Sequence, residues 1–334
     1  MTVEPRISNP AAIEAEDIRR ILAVGREPIV QFSTPPSADM LERVNELCRT
    51  FGEALEVRFY THFDSVFDAD LLALLPDVRW LTLDCLRRID NVERVADLPR
   101  LTRFGFGVED FDRPDFLDLL PLERLTHLSV GENIRRDFDL SPLARAQALT
   151  DLQIVGHTRG IEAVAGLQQL RALDLNSIPK KQDLGFVSDV ANLRSLRLVL
   201  GGRDAIDEIR HEGLETLEII RMRGLANLGS LTRFPRLRRL HVEDQIRLAA
   251  IDLAGPPLEE VFVLNCKTLA ILTGVSEIPS LRHLRVYGTG LDLNELAHSD
   301  WPPAMDLLAL YSGRVREDER IRAILNARGY REFS

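Results

Sequence analysis

Hydrophobic residues along this chain follow neither the period of a helix nor strict strand alternation. In NLRSLRLVLGG, residues 192–202, Leu193, Leu196 and Leu198 are spaced by three and then two. With the first leucine taken as an anchor, the triplet recurs at Ala54, Val78, Leu101, Leu125, Leu149, Leu170, Leu193, Leu214, Leu237, Leu258, Leu281 and Met305. Successive anchors lie 21 to 24 residues apart, and all three positions are apolar in all twelve repeats, although only 45% of the chain is apolar. Self-similarity at that period marks a solenoid.

The spacing has a direct physical meaning. Residues three and five beyond the anchor are the two inward positions of a short strand of period two, and the anchor points inward from the turn before it. A polar remainder must return the chain to the start of the next strand, so successive strands run parallel. Each repeat leaves an apolar edge that only its neighbour covers. Each buried side chain contributes about 1.5–3 kcal/mol before chain entropy is subtracted. Pro76, Pro99, Pro235, Pro279 and Pro303 stand two residues before an anchor, where proline ends a helical return without interrupting the ladder.

An open solenoid needs capped ends. Residues 1–53 are predicted to form an N-terminal cap of helix, strand and helix. The first helix is NPAAIEAEDIRRILAVG, with Asn9 as N-cap, Pro10 in the first turn and Gly25 as the stop. The strand is IVQF (29–32), and the second helix, SADMLERVNELCRTFG (37–52), turns Leu41, Val44, Leu47 and Cys48 inward. Repeats are expected over 54–312. Residues 313–334 are expected to form a C-terminal cap whose Ile321, Ile324 and Leu325 cover the last strand, leaving no second domain.

The pattern resembles the leucine-rich repeat, L-x-x-L-x-L, as in LRALDL (170–175), LRRLHV (237–242) and LRHLRV (281–286). The repeat lengths are similar to those of the short-repeat classes, such as internalins and bacterial cytoplasmic repeat proteins. The resemblance implies an α/β repeat solenoid, a horseshoe with a parallel β-sheet on its concave face. It departs from the family eight residues after the anchor, where asparagine ordinarily ties neighbouring turns together. Asn133 holds that place once, Cys266 and Thr289 are possible substitutes, and Leu86, Ile178 and Met222 stand elsewhere. An irregular horseshoe is therefore expected.

Charge and cysteine content narrow the class. The net charge of −10 argues against a general nucleic-acid binder, which needs clustered cations. No apolar run approaches the roughly 20 residues of a membrane span. The opening MTVEPRISNP lacks the basic-then-apolar order of a signal peptide, and three cysteines far apart imply no disulfide framework. A cytoplasmic protein is expected. Lysine occurs only at 180, 181 and 267, an arginine bias that suits a GC-rich bacterial genome.

Candidate chemistry is sparse. Asp112 and Asp115 in VEDFDRPDFLD (108–118) are hard oxygen ligands without calcium-loop spacing, and Asp115 more simply begins a short helix. His241 and His283 fall two repeats apart, about 10 Å, with no third ligand evident. Cys266 as a nucleophile would need the separate catalytic domain that bacterial ubiquitin ligases append to such repeats, so it reads as structural. No G-x-S-x-G, phosphate loop or zinc spacing occurs. No catalytic residue, cofactor, metal or small-molecule substrate is expected.

What remains is the outward face of the sheet, two, four and six residues beyond each anchor. Its charges nearly balance: Glu56, Asp84, Asp151, Asp174, Glu218, Glu243 and Glu260 against Arg58, Arg103, Arg197, Arg239 and Arg285. Gly105, Gly107, Ser129 and Gly131 offer little to grip, whereas the last repeats present Phe262, Leu264, Tyr287, Leu307 and Tyr311. These are ringed by Arg239, His241, Glu243, Glu260, His283 and Arg285, an apolar centre with a charged rim. Tyr60 and Trp80 form a smaller second choice. The expected function is a non-enzymatic scaffold that binds a partner protein, with a bacterial inhibitor, immunity or adaptor role. An exported effector acting on a host protein ranks next, and an enzyme of unrecognised type last.

Overall fold

The computed structural model describes residues 4–61, 66–135 and 137–331. The chain divides into two compact units, Met1–Leu170 and Arg171–Ser334. In the first unit, seven parallel strands pair in chain order: Arg6–Ser8, Ile29–Phe32, Glu56–Tyr60, Trp80–Leu86, Arg103–Val108, His127–Val130 and Asp151–Val155. In the second, the seven are Ala172–Asn176, Ser195–Val199, Thr216–Ile220, Arg239–Glu243, Glu260–Leu264, His283–Tyr287 and Leu307–Tyr311. Each of the twelve repeat strands begins two residues after its anchor, as the periodicity predicts.

Burial follows the same register. Every anchor and every residue three and five beyond it is buried except Ala54, where the neighbouring Leu55 is buried instead. In each unit equivalent residues align across strands, as Leu196 does with Leu173 and Leu217. The inward side chains therefore stack in continuous columns.

The returning segments correct the sequence reading, for they are not simply polar. Leu72 and Leu75 before Val78, Val95 and Leu98 before Leu101, and Leu143 and Ala146 before Leu149 are buried at six and three residues before the anchor. The same holds for Val164 and Leu167, Val187 and Val190, and Leu231 and Phe234. A period of three belongs to the 3-10 helix. Short 3-10 turns occupy these returns, including Ala69–Leu74, Ile161–Gly166 and Gly185–Asp189. Two of the 24-residue repeats instead return through short α-helices, Phe116–Leu119 and Leu293–His298.

Two further devices recur at the strand ends. Seven residues beyond the anchor, Cys85, Gly156, Ser177, Leu200, Arg221, Asp244, Asn265 and Gly288 adopt left-handed backbone angles, with φ between 52° and 77°. That conformation turns the chain off the sheet. One residue later the expected loss of cross-turn bonding is only partial. His157 Nε2 lies 2.9 Å from the Gly131 carbonyl, Gln245 Nε2 donates to the Ile219 carbonyl at 3.2 Å, and Cys266 Sγ lies 3.8 Å from that of Val242. Each acceptor belongs to the preceding repeat. Thr289 instead accepts a local bond from the Leu291 amide at 3.4 Å, while Leu86, Ile178 and Met222 are buried as apolar filling.

The terminal segments match in part. The helix Ala38–Phe51 is capped by Ser37 and buries Leu41, Val44, Leu47 and Cys48. Asn9 is not an N-cap: the first helix spans Ala15–Leu22 and is capped by Glu14 with Asp17, while Asn9 accepts a bond from the Ser33 amide at 2.9 Å. The strand Arg6–Ser8 precedes it, with Ile7 as its one apolar mark in the sequence. At the other end, the helix Val315–Ala327 buries Ile321 and Leu325 and leaves Ile324 partly exposed. Beyond it, Arg331 adds one bridge to the last strand: its carbonyl accepts from Leu308 N at 2.9 Å and its amide donates to the Asp306 carbonyl at 3.1 Å. No helix of the described residues is long and apolar enough to cross a membrane.

Candidate functional site

Exact register in the second unit arranges the outward side chains as a grid. One row reads Arg239, Glu260, His283 and Leu307 across the last four strands; the next reads His241, Phe262, Arg285 and Ala309. The third, at the strand ends, reads Glu243, Leu264, Tyr287 and Tyr311. Adjacent strands stand about 4.8 Å apart and alternate residues about 6.5 Å, so these groups share one continuous surface. Ala309 is buried in the middle row, and Tyr287, at 41% exposed, is the most open aromatic of the group.

The rim is electrostatically organised. Arg239 Nε donates to Glu260 Oε2 at 2.7 Å, and His283 Nδ1 lies 3.2 Å from the other carboxylate oxygen. Burial alone would push the Glu260 carboxyl up, but hydrogen bonds from Arg239 and His283, and their charge, hold it below the ordinary range. His241 Nε2 lies 3.1 Å from Glu243 Oε2, and its ring meets Phe262 edge-on at 6.0 Å between centroids. Both histidines thus have carboxylate partners. Among the described residues no group of three or more His, Cys, Asp or Glu is arranged to hold a metal ion.

Apolar residues recur in the third row on the far side of Glu243. Val199 and Ile220 occupy the equivalent outward ends of the two strands before Arg239–Glu243 and remain partly exposed. The signal was present in the sequence, six residues beyond their anchors. In the middle row of those strands, Arg197 bridges Asp174 at 3.1 Å and Glu218 at 3.3 Å. On these strands an ion-paired middle row therefore lies beside apolar strand ends.

The second choice dissolves as a pair. Tyr60 and Trp80 lie at opposite ends of neighbouring strands, because Trp80 aligns with Glu56 and Tyr60 with Asp84. Each already carries a guanidinium: Arg58 stands 4.8 Å over Tyr60 and Arg103 4.3 Å over Trp80. Arg58 also grips Asp84 with two bonds of 2.7 and 2.9 Å. Further along the first unit, a Cβ built on Gly131 would lie 2.9 Å from the Gly107 Cα, so these strands meet without side chains between them.

The remaining candidates settle into structural places. Cys266 is fully buried, and burial pushes its thiol up to about 11, far from a nucleophilic thiolate. Asp115 pairs with Arg113 at 3.2 Å at the start of the helix Phe116–Leu119. Lys180, one of the three lysines, pairs with Asp204 at 2.5 Å on the surface.

Parallel strands joined by short returns, with a column of leucines behind them, define the leucine-rich-repeat fold. A solved internalin, InlF, from Listeria monocytogenes has that fold and is similar over 88% of each chain, at 17% identity and a TM-score of 0.53. A leucine-rich-repeat protein of Leptospira interrogans matches over 89% of this chain and 88% of its own, at 13% identity and a TM-score of 0.42. No family model matches the chain, and no curated protein matches it.

Proposed function

We propose that this chain is a protein-binding scaffold whose partner docks on the sheet face of the second unit. The observation that carries the reading is the register that assembles Phe262, Leu264, Tyr287 and Tyr311 beside a paired charged rim. Large, stiff, half-exposed aromatics on a rigid sheet bind at little entropic cost, and they concentrate at interaction hot spots. Arg239, Glu243, Glu260 and Arg285 set the orientation of the partner rather than the bulk of its affinity. A cytoplasmic inhibitor, immunity or adaptor protein is the role that best suits a rigid binding face of this kind, and an exported effector acting on a host protein is the alternative.

The test is a binding comparison with the partner recovered from native lysate of the source cell. Phe262→Ala with Tyr287→Ala should weaken capture at least tenfold while leaving the far-UV spectrum and melting temperature unchanged. Tyr60→Ala with Trp80→Ala should not. Undiminished capture by the first variant would move the interface elsewhere. Fractionation separates the two roles, since protein confined to the cytosol removes the effector.

A further inference from the structure

A groove lies just beyond the strand ends of the second unit. Its volume is about 640 Å³, and it is lined by Arg221, Arg223, Asp244, Ile246, Lys267 and neighbouring residues of three successive repeats. That volume falls within the range of ligand sites, roughly 300–1,000 Å³. The three turns that line it begin at Arg221, Asp244 and Asn265, which all adopt left-handed angles, with φ of 52°, 55° and 56°.

The lining has an unusual balance of charge. Arg221 is spent on Asp244, at 2.7 Å. Arg223 and Lys267 are exposed, and neither is within ion-pairing distance of a carboxylate among the described residues. Three cations against one carboxylate leave the groove at +2 in a chain whose net charge is −10. Between the free cations stands Ile246, 67% exposed, while Met222 is buried at 3%.

We propose that this groove takes an extended acidic segment of a partner polypeptide, one with a large apolar side chain flanked by carboxylates. The apolar side chain would cover Ile246, and the flanking carboxylates would reach Arg223 and Lys267. Nucleic acid fits less well. Two free cations neutralise few phosphates, and the lining holds no aromatic ring on which a base could stack. The proposal does not rest on the sheet-face reading, since none of these side chains belongs to that grid.

The experiment is a fluorescence-polarisation titration of the full chain with the labelled peptide Asp-Glu-Leu-Phe-Asp-Glu. Saturable binding with a Kd of about 10–500 μM is expected, in the range of weak peptide contacts. Added salt should weaken it, because the contacts are solvent-exposed charges. Arg223→Glu with Lys267→Glu should weaken it about tenfold or more, and Ile246→Ser about threefold, by removing the charge partners and the apolar contact respectively. All three side chains are exposed, so folding should be retained, which a melting curve verifies. Phe262→Ala with Tyr287→Ala should leave it unchanged. No saturation by about 1 mM, equal binding by the charge-reversed variant, equal binding of Asn-Gln-Leu-Phe-Asn-Gln, or displacement by a short oligothymidylate would each overturn the proposal.

Discussion

Truncation of Leu196 to alanine probes the register on which every other placement depends. Leu196 is fully buried, aligned between Leu173 and Leu217 in the inward column. Leu196→Ala deletes three carbon groups, about 2.4 kcal/mol at roughly 0.8 kcal/mol each. The cavity left in a stack that cannot collapse raises the cost to about 2–5 kcal/mol. Arg197, one residue along, faces outward and is 45% exposed at its side chain. Its two ion pairs are partly solvated, so Arg197→Ala should cost no more than about 1 kcal/mol. The assay is urea unfolding followed by tryptophan fluorescence. The chain has two tryptophans, so a Trp80→Phe background leaves Trp301, which is 9% exposed and lies in the same unit. With an m-value of about 3 kcal/mol/M, Leu196→Ala should lower the midpoint by about 0.7–1.7 M. A larger loss for Arg197→Ala than for Leu196→Ala would refute the reasoning, because a one-residue slip exchanges the two faces.

Other predictions address separate parts of the account. Burial raises the pKa of Glu56, which is 8% exposed beside Trp80, so its folded value lies above its unfolded one. It therefore costs stability as pH rises from the ordinary glutamate range through that raised value, and Glu56→Gln should raise the melting temperature at pH 7 but not at pH 4. In thiol alkylation at pH 7.5, exposed Cys85 should react first; Cys266 and Cys48, buried with thiols pushed up to about 11 and about 12, should react only on unfolding, as peptide mapping would show. Truncation before Val315 should uncover Leu308 and Leu310 and remove the Arg331 bridge, giving aggregation or loss of cooperative unfolding by light scattering and circular dichroism. A monomeric truncation with an unchanged melting temperature would show that the segment is no cap.

Much of the architecture was legible because a strand's period of two, repeated twelve times, leaves little room for an alternative register. Strand starts, the inward columns and the outward grid all follow from the anchors. The return path was misread for a physical reason. The 3-10 period of three at Leu72, Leu75 and Val78 runs directly into the anchor and looks like part of the strand signal rather than a separate element. At the position eight beyond the anchor residue type alone misleads, because the imidazole of His157 and the amide of Gln245 make the cross-turn contact that asparagine ordinarily makes. The groove at Ile246 was invisible for another reason. Its turns begin with left-handed angles at Arg221, Asp244 and Asn265; aspartate and asparagine are residue types that visit that conformation, but arginine is not.

Site-specific photo-crosslinking tests the central claim most directly. A benzophenone side chain would replace Tyr287 on the sheet face or Glu277 on the return path, in chain expressed in its source cell. The account predicts a discrete heavier adduct containing one partner protein from position 287, lost when Phe262→Ala is added, and none from position 277. Equal adducts from both positions, or an adduct from 277 alone, would contradict a partner docked on the sheet face.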